Sequence, residues 1–394
     1  MYVLEAIAIT LFLLSALVLA WFAGMKSVQR QGGSNRKFQP DYFVGLNFLL
    51  NDEPDDAVDI FINALEVNAG TLETHIALTT LLRRRGKVDQ AISHLQGLLS
   101  SQSFTVRELS AIKVQLARCY IAAGLFDRAE RMIDELREAS GKVREQSLRL
   151  ALTLFQTEKE WQKAILAGET LLTLPDIEAR ERVKLQVSHF YCELAELSLK
   201  AEQPQDAIEY LHKGEAVDDG NVRVCLLLAT ALSLLPDLDK TGIYLRKVLN
   251  VNASLLLEIF PGGEKVLLKY PALITEITHE ILTHQKVINV RQAEQLAKLI
   301  RTLHGREKEI DFLTGLARQQ PGPGIALNLL EVAANDNEKL PALVHQAISI
   351  LDESQQELPQ FQCKSCGFLL KSMHWNCPGC GAWSTISPVD MSIS

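Results

Sequence analysis

The chain has 394 residues, long enough for two or three ordinary domains or for one repeat array with an appendage. Its formal net charge of −8 argues against a protein whose main task is coating a phosphate backbone, since that needs clustered Lys and Arg. Aromatic residues make up only 6% of the sequence, and 22 glycines and 13 prolines are few for this length, so helices are favoured over sheets.

Residues 6–25, "AIAITLFLLSALVLAWFAGM", carry no charge. At about 1.5 Å per residue, such a helix spans the roughly 30 Å hydrocarbon core of a bilayer. Glu5 is the only charge before it, and Lys26, Arg30, Arg36 and Lys37 follow it, which is the reverse of a cleavable signal peptide. The sequence therefore predicts a transmembrane anchor over 1–25. The positive flank predicts that nearly all of the rest is cytoplasmic, with a few residues outside. Residues 26–40, "KSVQRQGGSNRKFQP", read as a basic juxtamembrane linker able to rest on anionic lipid.

Residues 41–253 repeat. "NDEPDDAVDIFINAL", "RGKVDQAISHLQGLL", "AGLFDRAERMIDEL", "EKEWQKAILAGETLL" and "AEQPQDAIEYLHKG" share a polar lead, then Ala, then an apolar helical run. Ala57, Ala91, Ala129, Ala164 and Ala207 lie 34, 38, 35 and 43 residues apart, the period of a tetratricopeptide repeat with insertions in its connections. Gly45, Phe48, Phe61 and Ala64 complete the first unit, and Ala117, Tyr120 and Gly124 the third. A sixth unit, around Ala229, Leu232, Leu245 and Val248, has Thr241 where Ala is usual. A small residue at each crossing lets two helices approach, and an aromatic fills the gap beside it. From 254 to 355 the sequence stays amphipathic, but "FPGGEK" and "QQPGPG" interrupt it. That stretch reads as degenerate helical pairs continuing or capping the array, or else as a separate bundle. Arrays of this kind offer a face that grips a peptide or helix of another protein.

No catalytic constellation stands out. In "THEILTH" the histidines His279 and His284 are five apart, which puts them on different helix faces, unlike a zinc-protease helix. "PGGEK" lacks phosphate-loop spacing. Cys119, Cys192 and Cys225 are scattered in helical sequence and read as small core residues.

Cys363, Cys366, Cys377 and Cys380 form two Cys-x-x-Cys pairs near the end of the chain, within a ribbon over 361–386. Four soft thiolates at this spacing can close a tetrahedron around one zinc or iron ion. A redox dithiol needs only one pair. With four Cys no coordination position stays open, so a structural role is preferred to metal-assisted hydrolysis. Gly367 and Gly381 let both knuckles turn so that backbone N–H groups point at sulfur. Lys364, Lys371 and His374 are thin for phosphate binding, so no nucleic acid is expected. Phe361, Phe368, Trp375 and Trp383 suit packing of the ribbon onto a helical neighbour.

The predicted fold is thus all-α: a tetratricopeptide-repeat superhelix with an N-terminal transmembrane helix and a small C-terminal rubredoxin-like four-cysteine ribbon. This order resembles the lipopolysaccharide assembly protein B family of Gram-negative bacteria. The likeness is closest in "DYFVGLNFLLNDEPDDAVDIFINAL", "HFYCELA", "FQCKSCGF" and "HWNCPGCGAWSTI". The resemblance implies a non-enzymatic adaptor of the inner membrane. Such an adaptor brings the deacetylase that commits substrate to lipid A synthesis to a membrane AAA+ metalloprotease, and an inner-membrane lipopolysaccharide sensor antagonises it. It also implies that the anchor is needed to meet the protease, that the four cysteines are metal ligands, and that the ribbon packs on the repeats. A general scaffold for envelope enzymes and an iron electron-transfer protein remain as alternatives, and both a monomer and a homodimer stay open.

Overall fold

The computed structural model describes residues 70–334, with short breaks at 102–103, 176, 236–237, 253–254, 259–262, 285–287 and 321, and then 359–389, together with a few positions between 44 and 68. The anchor of residues 6–25 and the linker of 26–40 lie outside the described residues, as do Gly45, Ala57 and Ala64 of the first repeat; Phe48 and Phe61 are half-buried helical positions. Among the described residues no helix is long and apolar enough to cross a membrane.

The chain divides into two compact units, Met1–Met132 and Ile133–Ser394. The first contains α1 (Leu72–Arg84), α2 (Val88–Leu99) and α3 (Val106–Ala122), and α4 (Phe126–Glu135) runs across the division. Local chemistry sets these ends. Thr105 and Glu108 form a capping box that satisfies two free N–H groups at the start of α3. The turns into α2 and α4 each need a left-handed residue, supplied by Gly86 (φ +80°) and Gly124 (φ +72°).

In the second unit, α5 (Gly141–Glu158), α6 (Trp161–Thr173), α7 (Arg180–Lys200), α8 (Pro204–Val217), α9 (Val222–Ser233) and α10 (Leu238–Asn252) follow in sequence. Lys159 (φ +60°) and Glu202 (φ +59°) occupy the left-handed position before α6 and α8 that glycine fills in the first unit. In α2, α4, α6 and α8 the fourth residue is Ala91, Ala129, Ala164 or Ala207, each with no exposed surface. Thr241, fourth in α10, is equally buried. The repeat read from the sequence is therefore present as a geometric unit: a left-handed turn, then five residues on a small side chain at the helix crossing. Among the described glycines, close approach is tightest at Gly168 of α6, where a Cβ would meet Val187 Cγ2 of α7 at 2.3 Å.

Beyond α10 come two short helices, α11 (Leu255–Glu258) and α12 (Gly263–Leu267), then α13 (Pro271–Thr283), α14 (Val290–His304), α15 (Arg306–Gln319) and α16 (Pro323–Ala334). One buried cluster runs from Cys225 and Ala229 in α9 through Leu245, Ile274, Leu296 and Phe312 to Val332 in α16. These helices share that buried core with α9 and α10. Cys119, Cys192 and Cys225 are buried as small core residues, and burial pushes the Cys192 thiol up to about 12.

The ribbon consists of β1 (Phe361–Cys363), β2 (Leu369–Leu370) and β3 (Ile386–Pro388), antiparallel in the order β2-β1-β3, with Phe361 opposite Leu370 and Cys363 opposite Ile386. Alternation along β1 sends Phe361 and Cys363 inward and Gln362 outward. A small core of Phe361, Cys363, Leu370, Cys377 and Ile386 results.

Candidate metal centre

The four cysteines predicted as ligands meet at one point. Their sulfur atoms all lie within 4.8 Å of one another, and among the described residues no other group of three or more His, Cys, Asp or Glu side chains is placed to hold a metal ion. Cys363 Sγ lies 3.8 Å from Cys380 Sγ, and Cys366 Sγ lies 3.7 Å from Cys377 Sγ. A tetrahedron with metal–sulfur bonds of about 2.3 Å has sulfur–sulfur edges of about 3.8 Å, so the donor set fits one ion such as zinc. Cys363 and Cys377 face the ribbon interior, and Cys366 and Cys380 are exposed.

The two knuckles are built alike. The N–H of Gly367 donates to the Cys363 carbonyl and that of Gly381 to the Cys377 carbonyl, both at 2.8 Å, and both glycines take positive φ (+77° and +70°). The glycines that follow each pair thus serve the tight turn the sequence predicts. Thr385 Oγ1 lies 3.2 Å from Cys363 Sγ. That hydroxyl, helped by the N–H groups of Cys366 and Ser365, brings the Cys363 thiol down to about 6. At Cys366 the Phe368 N–H favours the thiolate, but desolvation and hydrogen bonds with the other three thiols outweigh it and raise the group to about 12. Four thiols this close cannot all ionise unaided; a bound cation would supply the charge that lets them do so.

The ribbon docks on the helices of its own unit. Trp383 is buried in the cluster of Leu152, Ile165, Val187 and Phe190, which belongs to α5, α6 and α7. Its ring stacks on His189 at 4.6 Å and meets the edge of Phe190 at 6.0 Å. Trp375 packs against both this cluster and the long one of α9–α16. The two tryptophans therefore tie the ribbon to two neighbouring helical cores. Truncating a buried Trp to Ala typically loses about 3–5 kcal/mol. Polar groups complete the seam. His189 Nε2 lies 2.8 Å from Ser384 Oγ. Arg223, almost fully buried, pairs through Nη2 with Glu193 and Glu196 at 2.8 and 2.7 Å and sits 5.9 Å above the Trp375 ring. Burial, and then the nearby Arg223 charge, hold the His189 imidazole well below its usual range, so it stays neutral. A polar cleft of about 500 Å³ follows the seam, lined by Glu193, Glu196, Arg223, Arg291, Ser372 and His374 among others.

Of the four aromatics expected to face a helical neighbour, only two do so. Phe361 turns into the ribbon's own core. Phe368 is about half exposed and lies over Gly379, where a Cβ would meet its ring at 2.9 Å. Strand alternation explains Phe361, because its face of β1 is the one that carries Cys363. The sequence reading missed His189, Arg223, Ser384 and Thr385.

The fold and the site define a helical-repeat protein of tetratricopeptide type that carries a rubredoxin-like four-cysteine ribbon. Residues 361–388 match the family described as the rubredoxin metal binding domain. Over 388 residues the chain is 32% identical to lipopolysaccharide assembly protein B of Escherichia coli (strain K12), covering 96% of this chain and 97% of that one. It is 29% identical to the Haemophilus influenzae protein of the same name, covering 96% and 98%. The chain belongs to the lipopolysaccharide assembly protein B family. Among solved structures, the C-terminal part of a TPR repeat-containing protein from Cytophaga hutchinsonii is similar at 12% identity and a TM-score of 0.40, covering 64% of this chain and 99% of that one.

Proposed function

We propose that the protein is a non-enzymatic adaptor that regulates lipopolysaccharide synthesis. Residues 6–25 hold it in the bacterial inner membrane, with the bulk on the cytoplasmic side. Its helical array brings the committed-step lipid A deacetylase to a membrane AAA+ metalloprotease, and an inner-membrane lipopolysaccharide sensor opposes it. Cys363, Cys366, Cys377 and Cys380 ligate one metal ion that folds the ribbon. The observation that carries this reading is the docking of Trp375 and Trp383 into two helical cores, beside a site whose four thiolates leave no open coordination position. A metal so placed supports a binding surface, and family membership points to lipopolysaccharide assembly as the process served. Confining protease and substrate to one membrane-bound complex raises their effective concentration with no chemistry by the adaptor.

Depleting the protein and following the deacetylase by pulse-chase tests this. A lengthened half-life is expected, and an unchanged one overturns the reading. Co-purification after crosslinking separates a proteolytic adaptor from a general assembly scaffold, because only the former captures the protease. The exposed sulfur edge at Cys366 and Cys380 is the one feature that favours electron transfer instead. Metal analysis of the purified protein showing zinc alone removes that alternative.

A further inference from the structure

Three consecutive ribbon residues face three different partners. Trp383 lies in the helical core against His189 and Phe190. Ser384 takes a left-handed conformation (φ +54°), donates its N–H to the Trp375 carbonyl at 2.8 Å and places its hydroxyl 2.8 Å from His189 Nε2. Thr385 sets its hydroxyl 3.2 Å from Cys363 Sγ, while its carbonyl accepts the Lys364 N–H at 2.8 Å. The path from α7 to a metal-ligating sulfur is therefore one peptide bond long: His189 to the Ser384 side chain, then the Thr385 side chain to Cys363.

We propose that Ser384 and Thr385 couple metal binding at the four-cysteine site to docking of the ribbon on α7, so that a change at His189 alters metal affinity. This rests on the reading of the four cysteines as metal ligands. A hydroxyl that donates to a coordinating thiolate offsets part of the negative charge of a four-thiolate site and fixes the sulfur's orientation, and such outer partners are worth about 10–100-fold in metal affinity. The Thr385 hydroxyl is aimed only while the backbone of 383–385 is fixed. The stack of Trp383 on His189 and the Ser384–His189 hydrogen bond do that fixing from the helix side. Two equilibria sharing one rigid element are linked, and the linkage is reciprocal: docking tightens metal binding, and metal binding tightens docking. Ser384 and Thr385 act here as positioning residues.

The test uses the detergent-solubilised full chain, with zinc affinity from chelator competition and the thiolate-to-cobalt charge-transfer band of the cobalt(II) form as readouts. Thr385→Val should weaken zinc binding about 10–100-fold and shift the cobalt band. Thr385→Ser, which keeps the hydroxyl, should restore both. His189→Ala, on the helix side of the seam, should weaken zinc binding about fivefold or more, with an unchanged helical circular-dichroism signal and one metal per chain. Wild-type zinc affinity in either Thr385→Val or His189→Ala overturns the coupling. If the wild-type chain takes up neither zinc, cobalt nor iron, the four-cysteine reading itself falls, and the proposal with it.

Discussion

Helix α6 buries Ala164, Ile165 and Leu171, and the helical stack repeats such contacts hairpin by hairpin, whereas the ribbon encloses Phe361, Leu370 and Ile386 with two of its four cysteines. In the stack, each helix leans mainly on its neighbours, so stability is a sum of many similar interfaces. The ribbon is too short to build a core of that kind, and the metal proposed for its four cysteines would concentrate its folding energy at one ion. A lesion in the stack should stay local. A lesion at the four thiols should remove a whole module.

Cys377→Ser breaks that comparison hardest. It removes one of four ligands from a type of site that contributes on the order of 10 kcal/mol to folding. Metal content should fall from one ion per chain to near zero. Trp375 and Trp383 should leave their cores, seen as a red shift of tryptophan fluorescence, while the far-UV helical signal persists. Loss of the helical signal as well would mean that the stack depends on the ribbon for its own stability.

Gly168→Ala probes the opposite region. A Cβ there would sit 2.3 Å from Val187 Cγ2, so the stiff Val187 side chain must leave its rotamer or α6 and α7 must part. Overpacking of this kind costs about 1–3 kcal/mol. Urea unfolding should show the loss in the α5–α8 region with full metal content retained. The smallest expected effect is a gain: Lys159→Gly relieves a non-glycine residue at φ +60° and should add roughly 0.5–1 kcal/mol. An unchanged urea midpoint would show that this turn carries no strain.

The sequence discloses what has a local cause. Ala91, Ala129, Ala164 and Ala207 are small because two helices cross at each, and the crossing recurs at nearly fixed spacing. The cysteines are legible for a similar reason, since two tight knuckles that bring four sulfur atoms to one point dictate their intervals. Lys159 and Glu202 hide the same turn that Gly86 and Gly124 announce, because nothing in a Lys or Glu signals a left-handed backbone. The seam is hidden more deeply. His189 and Ser384 are 195 positions apart, and no periodicity records a pairing between a helix and a distant ribbon. One trace was available: "HFYCELA", a stretch of close family resemblance, sets a histidine directly before the buried Phe190, Tyr191 and Cys192 of α7, where burial demands a partner. Likewise the aromatics of the ribbon show that apolar surface must be covered, but only the pleat of β1 decides that Phe361 turns inward.

The turn-to-alanine interval is five residues at Gly86–Ala91, Gly124–Ala129, Lys159–Ala164 and Glu202–Ala207, although the alanines themselves are 38, 35 and 43 apart. Length variation is thus confined to the stretches between one crossing and the next turn. The chain works like a carpenter's folding rule, with identical joints and segments of unequal length. Insertions can accumulate in the segments over generations without disturbing a joint, which is where new reach for a partner would be gained at least risk to the fold.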